Sequence, residues 1–400
     1  MGPPIHTVRA LLCASVLASV NVLAQPLGLP PVPVPADNPQ SPEKIALGEK
    51  LFNETRFSST GAVSCATCHD PKKAFTDSPL VTSEGINKLT GTRNAPTVIN
   101  AAYFDLLFWD GRSVDLEDQS QHPIINPVEM GLPNHDPVLQ VVRTDPQYVA
   151  AFRKVFNKEP AQIGMHEVQQ AIASFERTIV SGDSPFDRYY FAHDENAISE
   201  QAKRGFDVFL NKGRCVSCHV IEQDQALFTD NRFHNIGVGI NRIQEEVKDF
   251  VPAFLKAKAD GVDVDKAVLA NPKASELGRF AVTDQLEELG SFKTSTLRNV
   301  AVTAPFMHDG SLKTLRDVVE HYNNGGITSK EDRVNDFLSG GIRPLELSDQ
   351  EMSDLVAFLE TLTSPQFAKQ KQAAASCNVK TTTLAASMPT ASAGTGGTEQ

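Results

Sequence analysis

Two five-residue strings carry the residue types best suited to chemistry in this chain: Cys65-Ala66-Thr67-Cys68-His69 and Cys215-Val216-Ser217-Cys218-His219. Each reads Cys-x-x-Cys-His, the attachment signature of a c-type haem. Two neighbouring thiols add to the vinyl groups of one porphyrin, and the adjacent His supplies the proximal nitrogen to the iron. A redox dithiol or half of a zinc site would use the same cysteines. A dithiol has no need of the following His, and outside the two strings the chain holds no further Cys pair to complete a tetrahedral zinc site. Two covalent c-type haems are therefore expected, held by Cys65, Cys68 and His69 and by Cys215, Cys218 and His219.

The elements that must position these strings repeat. Gly48-x-x-Leu51-Phe52 precedes the first string and Gly205-x-x-Val208-Phe209 the second, and Cys65 and Cys215 are separated by 150 residues. Ser41 and Pro42 read as the cap and first position of a helix carrying Leu47 and Leu51 on one face. A second helix is expected over 199–210. Closing helices are expected over 167–180, with Val168, Ile172, Phe175 and Ile179 in register, and over 348–362, opening with the capping box Ser348-x-x-Glu351. The apolar stripes read as core. The fold class is mainly α: two cytochrome c-like haem domains with long loops, a duplicated unit, spanning 42–198 and 199–364. Residues 181–198 are polar and read as the crossing between them. Residues 230–295 read as loops and short helices packed against the second haem.

The ends read differently. Arg9 followed by an apolar run to Leu23, with Val22-Leu23-Ala24 as a cleavage site, marks 1–24 as a secretory signal peptide that takes Cys13 with it. Covalent haem on an exported chain points to the bacterial periplasm. No other apolar run is long enough to span a membrane. Residues 25–41 are Pro-rich and read as an extended arm outside any core. Residues 365–400 are Ala/Ser/Thr/Gly-rich and read as a disordered tail containing Cys377, a leftover thiol. The net charge of −12 argues against nucleic acid as a partner and is compatible with a basic electron carrier.

What lies on the far side of each iron decides between electron transfer and peroxide chemistry. Here four further strings matter: Asn94-Ala95-Pro96-Thr97, Phe108-Trp109-Asp110-Gly111-Arg112, Asn126-Pro127-Val128-Glu129-Met130 and Ala304-Pro305-Phe306-Met307-His308-Asp309-Gly310. Over about 41–364 the chain resembles the bacterial di-haem cytochrome c peroxidases and their relatives, the MauG enzymes. The resemblance implies an indole between the two haems at Trp109, the only Trp of the chain. It implies a distal carboxylate at Glu129, able to shuttle a proton between peroxide oxygens. It places Gln119 and Pro123 in the same distal pocket. It also implies a calcium ion between the domains, held by Asn94 and the carbonyls of Thr303 and Pro305, an oxygen-only set suited to that cation.

The chain departs from the resemblance twice. The peroxidases cap the resting first haem with a His on a loop soon after the first motif, and no His occurs here between His69 and His122. The first haem is therefore expected to be open. Where the peroxidases carry a Met as sixth ligand to the second haem this chain has Tyr322, as MauG enzymes do, with His321, His308 and Met307 as competing ligands. His122, His135, His166, His193 and His234 read as surface or structural. The expected function is a periplasmic peroxidase that reduces hydrogen peroxide with electrons from a small cytochrome c or copper protein. A MauG-like oxidation of side chains on a partner protein is the alternative, and a di-haem electron carrier a third reading that Glu129 argues against.

Overall fold

The structure, a computed structural model, describes residues 25–327 and 335–370. The expected signal segment with Cys13, and the tail beyond 370 with Cys377, lie outside the described residues.

Two helix pairs organise the chain. Helix Pro42–Phe52 packs on Met165–Glu176, and Glu200–Leu210 packs on Asp349–Glu360. The caps form as the residue types dictate: Ser41 Oγ accepts from Lys44 N–H at 3.2 Å, and Ser348 and Glu351 close a reciprocal box. Both pairs cross backbone to backbone at a glycine. A Cβ on Gly48 would lie 1.9 Å from Ala171 O, and one on Gly205 1.9 Å from Asp354 O. Beside each crossing two phenylalanines meet, Phe52 with Phe175 at 5.2 Å and Phe209 with Phe358 at 5.0 Å. The connecting loops match too. Asn100 and Asn299 both take left-handed backbone (φ 64° and 61°), and their Oδ1 atoms accept from Ser181 N–H at 2.8 Å and Ser364 N–H at 2.9 Å. The bridges Leu107–Ser113 and Phe306–Leu312 then fold two equivalent turns, with Trp109 in one and His308 in the other. The closing helices end at Glu176 and Glu360, short of the expected 180 and 362.

Three segments depart from expectation. The Pro-rich arm is not outside the core: Leu29 is buried, Tyr103 Oη donates to Pro30 O at 3.0 Å and Arg298 donates to Gly28 O at 2.6 Å. Burying one such leucine is worth about 1.5–3 kcal/mol, enough to fix a segment already stiffened by proline. The crossing at 181–198 contains helix Pro185–Tyr190. Its Phe186 is fully buried among Phe206, Phe228 and Phe358, and its Asp187 pairs with buried Arg298 at 2.8 Å. The assigned tail start is ordered as well: Pro365–Phe367 forms a turn, with Phe367 buried against the first half beside Ile99 and Ala173.

Residues 230–295 form the expected loops and short helices, but with one longer helix and a core of their own. This region holds five helices, including Val247–Ala259 and Val264–Ala270, around a separate core of Ile240, Phe254, Val268, Leu277 and Phe280. It packs on the first half as well as the second. Thr92 Oγ1 donates to Val268 O (2.7 Å) and Arg93 to Ser275 O (2.9 Å), while Arg242 pairs with Asp309 (2.7 Å). The strands of the described residues, Phe233–His234 and Phe292–Lys293, are two residues each and pair antiparallel at its base. No helix among the described residues is long and apolar enough to cross a membrane.

Candidate haem and peroxide site

A cavity of about 780 Å³ runs between the halves and is bordered by both Cys-x-x-Cys-His strings. The strings fold alike. Cys65–Cys68 is one helical turn opened by the Ser64–Thr67 box, and Cys215–Ser217 is a tighter turn. In each the His N–H returns to the first Cys carbonyl, at 3.0 Å for His69 and 2.9 Å for His219, bringing ring and thiols to one wall. Nδ1 of His69 lies 3.3 Å from Phe75 O, and Nδ1 of His219 lies 2.9 Å from Phe228 O. A carbonyl can only accept, so Nδ1 carries the proton and Nε2 keeps its lone pair for a metal. Burial lowers the pKa of both rings, which holds them in the neutral form that binds iron. Burial pushes the thiols of Cys65, Cys68 and Cys215 up to about 12; these walls suit an uncharged sulfur, and a thioether is one. The donor set and the walls thus fit two covalently attached haems.

Glu129, Gln119 and Pro123 all border this cavity on the side of the first string. The Glu129 main chain is clamped by the loop that follows that string. Ile86 N–H donates to Glu129 O at 2.8 Å, and a Cβ on Gly85 would lie 2.1 Å from Val128 O, so only glycine allows the approach. This is the loop on which the resembling peroxidases carry their cap, and here it presents Ser83 and Gly85 to the cavity. Burial, and then the charge of Asp265, push the Glu129 carboxyl up to about 7, against the opposing pull of Arg112. Arg112 lies 3.5 Å from the centroid of the Phe108 ring and is held by Asp265 at 2.6 Å and Asp110 at 2.9 Å. Asp110 is fully buried. Burial opposes its charge, but Arg112 and Arg93 hold its carboxyl well below the usual range.

Trp109 borders the same cavity, its Nε1 donating to Asn94 O at 2.9 Å. Asn94 N–H donates in turn to His308 O at 2.8 Å, and Trp109 O accepts from Lys293 N–H at 2.8 Å, so both halves fix the indole. Asn94, Thr303 and Pro305 all line the cavity. The Asn94 amide nitrogen is turned to the carbonyls of Leu80 and Val81, at 3.4 and 3.1 Å, which leaves its amide oxygen for a cation.

On the second side Tyr322, in helix Leu315–Asn323, borders the cavity, and burial raises its phenol above the usual range. Its rivals are placed differently. His321 is buried with Nε2 2.8 Å from Ile236 O and does not reach the cavity. His308 borders it, but Nε2 lies 2.9 Å from Glu276 Oε2 and the ring stacks on Phe292 at 3.6 Å. Met307 borders it also. His166 and His193 are exposed, while His135 lies 3.1 Å from Gln121 O and His122 stands edge-on to Phe108. His234 lines the cavity half-buried, a structural residue whose Nε2 lies 2.7 Å from Asp230 Oδ2.

Two cavity residues, and one charge beyond the cavity lining, carry no signal in the sequence. Glu176 ends a core helix, and burial pushes its carboxyl up to about 8. Lys293 sits in a two-residue strand. Asp265 acts on Glu129 from the separate helical region, 136 positions further along the chain.

Comparison with known proteins identifies the family. Residues 42–196 match the model of the di-haem cytochrome c peroxidase family. The chain is 40% identical over 331 residues to the methylamine utilization protein MauG of Methylorubrum extorquens, covering 83% of this chain and 81% of that protein. It is 33% identical over 330 residues to the cytochrome c551 peroxidase of Pseudomonas aeruginosa, covering 82% and 81%. Among solved structures it is similar to a MauG-like protein associated with microbial copper homeostasis, with TM-score 0.68, 31% identity, and coverage of 86% of this chain and 98% of that one. The chain belongs to the di-haem cytochrome c peroxidase family. It is a haem-bearing oxidoreductase of the cytochrome c peroxidase and MauG kind.

Proposed function

We propose that this chain is a periplasmic di-haem peroxidase built from two cytochrome c-like units, using an open first haem to reduce hydrogen peroxide. The haems, when bound, supply the iron that activates peroxide and stores electrons. Glu129 takes a proton from the near peroxide oxygen and returns it to the leaving oxygen, so that two electrons and two protons convert one peroxide to two waters. A carboxyl poised near 7 suits both directions of that transfer. Gln119 and Pro123 orient the peroxide and limit the water around it. Trp109 divides the path between haems into two shorter jumps. Tyr322 would supply a hard phenol oxygen to the iron of the second haem, a donor that favours the oxidised state. Asn94, Thr303 and Pro305 hold a calcium ion that fixes the junction. Electrons come from a small cytochrome c or copper protein.

The observation that carries this reading is the clamped loop over 83–91, which offers the first haem no histidine and pins Glu129 instead. Oxidation of side chains on a partner protein is the second reading, favoured by Tyr322 and by the 40% identity to a MauG protein. Adding one equivalent of peroxide to the fully oxidised protein tests the common core: an immediate spectral change is expected without reductant. A requirement for prior half-reduction would overturn the open first haem. Tyr322→Met is expected to raise the potential of the second haem, and an unchanged potential would remove Tyr322 as its ligand.

A further inference from the structure

Lys293 has no task in the peroxide chemistry just described. Its N–H donates to Trp109 O at 2.8 Å, and its Nζ donates to Leu106 O at 3.0 Å and lies 3.6 Å from the Phe104 ring centroid. Its neighbours include Phe104 and Trp109 from the first half and Thr294 from the second, all on the cavity wall. Among the described residues it makes no ion pair. The acid that acts on it most, Asp110, is already engaged by Arg93 at 2.6 Å and Arg112 at 2.9 Å. Lys293 is half-buried with one carbonyl and one ring for company, and desolvation draws its ammonium down to about 7. Lys293 lines the cavity, so an anion held there can partner it. Each haem brings a pair of carboxylates on flexible arms, which need partners of their own once inside the protein.

We propose that Lys293 binds a porphyrin carboxylate at the junction of the two haem sites and so positions that porphyrin edge beside Trp109. The inference rests on the reading that both haems occupy this cavity. The Nζ–H groups not used by Leu106 donate to the carboxylate, and the pair neutralises both charges away from water. A cation near a porphyrin stabilises the reduced iron, which carries one positive charge fewer, and so raises its potential.

The test uses the full-length holoprotein with Lys293→Gln, Lys293→Met and Lys293→Arg. Haem is counted first by its pyridine haemochrome, and the potentials are then titrated spectroelectrochemically. With two haems retained, the Gln and Met variants are expected to shift the redox equilibrium of one haem about tenfold toward the oxidised form, about 59 mV for one electron. The Arg variant, which keeps the cation, is expected to stay within about threefold of the parent. Loss of one haem from Gln and Met but not from Arg supports the same assignment, because the anchor is then needed for retention. Unchanged potentials in loaded Gln and Met variants overturn the proposal, as does haem loss from all three. A parent protein holding a single haem would instead sink the two-haem reading on which the inference rests.

Discussion

Trp109 and Asn94 are locked to each other: the indole Nε1 donates to the Asn94 carbonyl at 2.9 Å, while the Asn94 N–H is committed to His308 in the other half. A main-chain carbonyl thereby orients the ring that borders the cavity. An electron relay needs such orientation, because tunnelling depends steeply on ring placement.

Trp109→Phe removes the hydrogen bond and the oxidisable indole while keeping an aromatic ring. Stability should fall by about 1 kcal/mol, the net worth of one such bond. Both haems should remain attached, and electron exchange between them should slow by at least about tenfold in stopped-flow traces, one tenfold step being 1.4 kcal/mol in the barrier. Exchange at the parent rate would remove Trp109 from the path.

Glu129→Gln should leave haem content unchanged and lower peroxide turnover by about 10²–10⁴-fold, the usual contribution of a positioned proton donor and acceptor. In the parent, turnover should rise with pH through about 7 as the carboxylate forms. Asp265→Asn removes the neighbouring negative charge and releases Arg112 from its 2.6 Å partner, and both changes favour ionised Glu129. The inflection should therefore move to lower pH. An inflection that stays in place would detach Asp265 from the site.

Arg298 and Asp187 form a buried pair at 2.8 Å in which Arg298 also holds Gly28 O and Ala226 O. Arg298→Met leaves a buried carboxylate and two carbonyls without their partner. The cost should be about 3–5 kcal/mol in denaturant unfolding. A loss below about 1 kcal/mol would mean that the arm and the crossing segment contribute little to the second core.

The chemistry of this chain lies near its surface as text, while much of the architecture does not. Both haem strings, the caps at Ser41 and Ser348, and the core stripes are local patterns, and the structure forms them in place. Trp109 and Glu129 stand in long specific strings, the resemblance those strings carry points to Gln119, Pro123 and Tyr322, and all five line one cavity. The region over 230–295 was illegible for a physical reason. Helices such as Ile240–Ile243 and Phe280–Thr283 have four residues each, too few to show a 3.6-residue period, and Val247–Ala259 carries Pro252 inside it. Its core exists only when all five come together. Leu29, Phe186 and Phe367 stand in segments without a core periodicity and are buried because distant partners meet them there. Glu176 and Lys293 show the same limit for charge, since neither desolvation nor a missing ion pair can be read along a chain.

The central claim is that no side chain closes the first haem. Electron paramagnetic resonance of the resting ferric protein tests it most directly. The account predicts one high-spin signal from the open first haem and one low-spin signal from the second. Two low-spin signals would show that a residue of the chain already caps the first iron and would contradict it.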